Sequence, residues 1–185
     1  MLTDEQFKRG VENCDGQVKP WCQNQLVDGR VYMHKGACAQ LAAAWMRNEK
    51  FMALGQQVPG RQDTTEEVSW MCEQKNKGKD VIDEFLRANG LRKDSGQILF
   101  SRHFNLTAVM HFIRAQKAYY FMGSVGGDSG HGIAFNTCKP IPSMFDPNYG
   151  EARFRSLDGL ERLFLAFWPR AYPDLQSQGL VQRYR

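Results

Sequence analysis

Cys38 stands in Gly36-Ala37-Cys38-Ala39-Gln40-Leu41-Ala42-Ala43-Ala44-Trp45-Met46, where a loop gives way to a run of strong helix formers. A thiol at a helix start is well placed to react. The first turn leaves backbone N–H groups unpaired and carries the positive end of the helix dipole. Both favour the thiolate, the nucleophilic form of cysteine. Taken alone, Cys38 reads more readily as a small buried hydrophobe. Two later segments supply the partners that nucleophilic chemistry needs. The first, His131-Gly132-Ile133-Ala134-Phe135, follows a strand-like run at residues 118–125 across a glycine-rich turn at 126–130. This pattern predicts a β-hairpin whose second strand opens at His131. The second, Met144-Phe145-Asp146-Pro147-Asn148-Tyr149-Gly150, ends a short apolar run at Asp146, just before a proline that bars helical geometry at the preceding residue. Neighbouring strands lie about 4.8 Å apart, so a histidine at one strand end can meet an aspartate at the next. The carboxylate would then hold one imidazole nitrogen and leave the other to face the thiol. Asp128, in the same loop as His131, is an alternative acid, although forming the turn is its simpler role.

The order Cys, His, Asp and these local strings resemble the YopT/AvrPphB-type cysteine proteases, papain-like peptidases that bacteria use as effectors. The resemblance runs from about residue 30 to residue 184 and is sharpest over residues 131–154. It implies Cys38 as nucleophile, His131 as general base and Asp146 as the acid that orients it, with no cofactor and no metal. It also implies export from a bacterium through a specialised secretion system, without a signal peptide, and cleavage of a protein in the cytosol of a target cell. Members of the family cut lipid-modified small GTPases or kinases, so a lipid-modified substrate is one open alternative. One departure concerns the oxyanion. Papain-like enzymes usually carry Gln or Asn a few residues before the cysteine, but here Val31-Tyr32-Met33-His34-Lys35 precedes it. The backbone N–H of Cys38 remains as one donor, with Gln25 and His34 as candidates for the second. Other thiol acyl-transfer chemistry, deamidation or transglutamination, would use the same three residues. A catalytically dead binding module is the third alternative.

The elements that must position these groups follow from pattern. The 185 residues suffice for one core, and 42% hydrophobic with 12% aromatic residues excludes a disordered chain. The expected division is an N-terminal leader and irregular segment, 1–30, followed by a papain-like domain, 31–185. Helices are predicted at about 37–54, from Asp63, over 80–88, through Leu106 to Ile113, and from a Ser156 cap to Phe167, stopped by Pro169. Strands are predicted near 97–101, 118–125, 132–138, 141–145, 151–155 and 180–184. Helices first and antiparallel strands later indicate α+β, with the nucleophile helix packed on a C-terminal sheet. Trp45, Trp70 and Trp168 read as core residues. Five cysteines at irregular spacing suit free thiols in a reducing compartment, and none has zinc-ligand spacing. A net charge of +4 without a dense basic block argues against a nucleic-acid site. No apolar run is long enough to span a membrane. The chain is expected to act as a monomer.

Overall fold

Burial along the central strands sets the architecture. Tyr120 and Met122 point into one core, while their neighbours Tyr119 and Phe121 point into another. A strand buried on both faces requires a layer on each side. The structure, a computed structural model that describes residues 2–19, 37–127 and 129–185, provides both layers. In chain order the elements are α1 (Asp4–Asn13), β1 (Gly16–Lys19), α2 (Cys38–Ala53), α3 (Arg61–Asn76), α4 (Ile82–Ala88), β2 (Lys93–Phe100), α5 (Leu106–Ala115), β3 (Tyr119–Gly126), β4 (Ser129–Asn136), β5 (Ser143–Asp146), β6 (Gly150–Phe154), α6 (Leu157–Ala171) and β7 (Gln178–Tyr184). The strands form one seven-stranded sheet in the order β1-β6-β5-β4-β3-β7-β2, and every neighbouring pair is antiparallel. One face carries α1, α5 and α6 over a core that includes Val11, Ile113, Phe135, Phe164 and Trp168. The other carries α2, α3 and α4 over Trp45, Met71, Leu86 and Phe145. Each fully buried side chain of this size contributes about 1.5–3 kcal/mol.

The predicted α+β class and the late antiparallel strands are present. Four details differ from expectation. The N-terminal residues are structured, not an irregular leader. Thr3 and Gln6 form a capping box at the start of α1. Phe7 and Val11, one helical turn apart, enter the α6 core, and β1 pairs with β6 from Gly16↔Phe154 to Lys19↔Glu151. The expected division near residue 30 falls outside the described residues. Helix α3 starts at Arg61, with Gly60 rather than a side chain at its cap. Trp70 is 44% exposed on α3, whereas Trp45 and Trp168 are buried. Helix α6 does not stop at Pro169 but runs through it to Ala171. Proline lacks an N–H to donate. Burial of Phe167, Trp168 and Ala171 holds the last turn in place, and the Tyr172 N–H closes on the Trp168 carbonyl at 2.9 Å. That extra turn delivers Tyr172 to the site.

Candidate active site

Cys38 is the first residue of α2, and Ala37 before it offers no side-chain cap. The first-turn N–H groups are therefore not taken by a capping oxygen. The helix lies close on β4 because its near face is small, with Ala42, Ala43 and Ala44 fully buried. Gly132 lets the helix start approach β4 closely. A Cβ at that position would fall 2.8 Å from the Cα of Ala39. Farther along α2, buried polar groups fix its orientation. Trp45 Nε1 donates to Glu151 Oε2 at 3.3 Å. Asn136 Nδ2 and Lys139 Nζ each donate to Glu49 Oε2 at 2.8 Å. Arg153 bonds Glu151 and reaches Glu49 Oε1 at 3.5 Å. Trp45 also stacks on Phe145 of β5, with ring centroids 5.4 Å apart.

Register brings the acid and the imidazole together. Strands β4 and β5 pair Ala134 with Phe145, so Asp146 ends β5 just short of His131 on β4. His131 Nε2 donates to Asp146 Oδ1 at 3.0 Å, with the aspartate fully buried and the histidine 7% exposed. Holding Nε2 leaves Nδ1 as the ring nitrogen available to the thiol, and Cys38 and His131 lie close enough for each to shift the other's titration. The thiol also lies 3.9 Å from the Gly130 carbonyl. The string that follows Asp146 is a turn built around its carboxylate. The Asn148 N–H donates to Asp146 Oδ1 at 2.9 Å, and the Tyr149 N–H donates to the Asp146 carbonyl at 3.1 Å. Pro147 suits the second position of such a turn. Gly150 closes it at φ +100°, a conformation open to glycine.

Tyr172 is a fourth member of the cluster. Its hydroxyl lies 2.9 and 2.8 Å from the two Asp146 oxygens and 2.8 Å from His131 Nε2. Asn148 Nδ2 donates to it at 3.1 Å. One proton assignment satisfies all of these contacts. The hydroxyl donates to Asp146 and accepts from Asn148 and from the His131 N–H, which it shares with the carboxylate. Burial and the Asp146 charge push the Tyr172 hydroxyl far above its ordinary range, so it keeps its proton. The Tyr172 ring also stacks on the imidazole at 4.4 Å between centroids. No local motif announces Tyr172. It meets His131 only because α6, β4 and β5 converge.

The electrostatics favour an ion pair. Burial alone would raise the Cys38 thiol, but the His131 hydrogen bond and charge, with the Gly132 N–H, outweigh it and lower the thiol below its usual range. Burial alone would lower His131. The Asp146 charge and hydrogen bond, with Cys38, outweigh it and push the imidazole up to about 9. Cys14, Cys72 and Cys138 are all raised, chiefly by burial. Cys38 is therefore the one thiol among the described residues whose thiolate is favoured. Of the predicted site residues, the structure gathers Cys38, His131 and Asp146. Gln25, His34 and Asp128 lie outside the described residues, and the Cys38 backbone N–H stands at the start of α2. No group of three or more metal-ligating side chains occurs among the described residues, and no described helix is long and apolar enough to cross a membrane.

A thiol at the start of a helix thus stands over an imidazole and a carboxylate carried by one antiparallel sheet, and the fold is similar to those of two solved structures. The chain is similar to the crystal structure of the Pseudomonas avirulence protein AvrPphB, with a TM-score of 0.56 and 14% identity, over 80% of this chain and 91% of that one. It is also similar to PatoxP, a cysteine protease-like domain of the Photorhabdus asymbiotica toxin PaTox, with a TM-score of 0.51 and 11% identity. That match covers 97% of this chain and 57% of the other. No family model and no curated protein sequence matches the chain.

Proposed function

We propose that the protein is a site-specific cysteine endopeptidase that acts on a protein of a target cell after export from a bacterium. The observation that carries this reading is the placement of Cys38 and His131 in the lining of one cleft with His131 bonded to Asp146 behind it, the thiol lowered and the imidazole raised. The resting pair is thiolate and imidazolium. The thiolate attacks the scissile carbonyl carbon, a C–S bond forms, and the carbonyl oxygen takes the negative charge opposite the Cys38 N–H. As the tetrahedral intermediate collapses, the C–N bond breaks and the His131 Nδ1 proton passes to the leaving amine. Neutral His131 then takes a proton from water, whose oxygen attacks the thioester. The acid product leaves, and thiolate and imidazolium are restored. Asp146 and Tyr172 hold Nε2 throughout, which keeps Nδ1 directed at the sulfur.

The likeness to an avirulence protein and to a toxin domain supports action on another organism's proteins. A protease free in a cytosol must be selective, so one or a few cleavages are expected rather than digestion. The test is a gel comparison of casein and a target-cell lysate, each treated with the protein and with protein alkylated by iodoacetamide. Discrete lysate bands that the native protein alone alters, with casein largely intact, support the reading. Rapid breakdown of casein into small peptides refutes the selectivity. Identical patterns for native and alkylated protein refute thiol proteolysis.

A further inference from the structure

Beside the thiol, a cleft of about 860 Å³ opens across the sheet, lined among the described residues by Cys38, Leu99, Phe121, Gly123, Val125 and Leu180 together with others. Strand register explains its shape. Leu99 pairs with Leu180, Leu180 with Gly123, and Gly123 with Gly132, forming one row across four strands. Gly132 lies under the start of α2. Gly123, next in the row, has no side chain, while Phe121 and Val125 stand two residues to either side on the same face. The missing side chain leaves a bay one residue wide that leads from the thiol to Leu180 and Leu99. A Cβ at Gly123 would meet nothing within 4 Å except the Phe121 ring, at 3.5 Å. The bay is therefore open rather than filled by a neighbour.

Its chemistry is apolar. Leu99 and Val125 are 68% and 46% exposed, large hydrophobes left bare around one opening. Two polar side chains of the lining are engaged elsewhere, while Gln178 stands at the exposed start of β7. Ser124 donates to the carbonyls of Leu175 and Gln178, and Ser129 donates to that of Gly126. Apart from Cys38 and His131, Lys75 is the one charged residue in the described lining. Among the described residues the lining has no acidic side chain, so a basic group in the bay would find no counter-charge there.

We propose that this bay binds a bulky apolar side chain, of the leucine, methionine or phenylalanine class, from a polypeptide substrate next to the bond that Cys38 attacks. This specificity rests on the reading of Cys38 as nucleophile, and the test does not require turnover. Native protein is treated briefly with iodoacetamide or with N-phenethyl iodoacetamide, and labelling at Cys38 and at exposed Cys138 is read by peptide mapping. The phenethyl-to-plain rate ratio should be about tenfold or more higher at Cys38 than at Cys138, the scale set by burying a phenyl ring. In Gly123→Leu, the side chain fills the bay and the Cys38 ratio should fall to that of Cys138. Equal ratios at the two cysteines in the wild-type protein overturn the proposal. A second arm dispenses with the thiol. Cys38→Ala protein is mixed with N-acetyl-phenylalanine amide or N-acetyl-aspartate amide and examined by saturation-transfer NMR. Saturation of the phenyl ring, absent for the aspartate and lost in Cys38→Ala/Gly123→Leu, supports the bay; equal transfer to both amides refutes it. A phenyl preference in a protein that cuts nothing would retire the protease reading alone. Cleavage indifferent to apolar residues would retire the bay alone.

Discussion

Replacing Asp146 with Asn removes one charge from a buried site and keeps its shape. His131 stands at about 9 instead of 6.5, and burial opposes that rise, so the attractions that raise it exceed the burial penalty. The net effect corresponds to about 3 kcal/mol in favour of the imidazolium, at 1.36 kcal/mol per pH unit. The Asp146 charge is the leading favourable contribution. Because the imidazole is raised, the charged form persists at lower pH and is lost as pH rises through about 9. Wild-type kcat/KM should therefore decline on the alkaline side near that value. In Asp146→Asn the alkaline limb moves down toward neutrality. The Cys38 thiol rises, because a weaker imidazolium stabilises its thiolate less. The active window then closes from both sides. Above pH 9 the lost imidazolium preference of about 3 kcal/mol sets a loss of about 10²-fold, and near neutral pH tautomer error sets the loss, about 10⁴-fold for the same replacement in a serine protease triad. The assay is kcat/KM against pH, with the pH dependence of Cys38 carboxymethylation alongside. An alkaline limb that stays near 9 with less than about tenfold loss would refute the coupling drawn here between Asp146 and the thiol.

Four further outcomes follow from the same contacts. Cys38→Ala and His131→Ala should each abolish turnover while keeping the circular dichroism of the native fold, and the double variant should be no worse than either single one, because the pair acts as a unit. A folded single variant with more than about a tenth of wild-type activity would release that residue from its role. Tyr172→Phe keeps the ring stack on His131 but strands the Asn148 donor and removes a bond to a carboxylate. Urea titration should show a loss of about 1–3 kcal/mol, and the activity loss should be smaller than that of Asp146→Asn. Gly132→Ala forces a contact with Ala39. It should cost about 1–3 kcal/mol of stability and bring Cys38 alkylation at neutral pH toward the rate of Cys138, so an unchanged rate would show that the helix start does not depend on this approach.

What the sequence made legible was local chemistry. The Cys38 helix could be read because residues 38–53 are strong helix formers. The turn from Asp146 to Gly150 could be read because each of its residues answers a local requirement of carboxylate, fixed φ, amide or positive φ. The hairpin that carries His131 was visible through its glycines. Long-range pairing was not. Strand β1 joins β6 across more than a hundred residues, and nothing in Gly16-Gln17-Val18-Lys19 names its partner. The capping residues Thr3 and Gln6 were present in the sequence, but the polar composition around them masked the Phe7–Val11 stripe. Pro169 is a strong stop in isolation, yet the packing of Trp168 and Tyr172 overrode it. Tyr172 entered the site through that override, which no spacing rule anticipates.

The most direct test is a comparison of new protein ends. Wild-type and Cys38→Ala proteins are incubated separately with target-cell lysate, and protein termini and side-chain masses are read by mass spectrometry. A small set of new amino termini is expected with the wild-type protein, each at a defined site, and none with Cys38→Ala. Glutamine-to-glutamate conversions or new lysine–glutamine crosslinks that depend on Cys38, without any new termini, would contradict it.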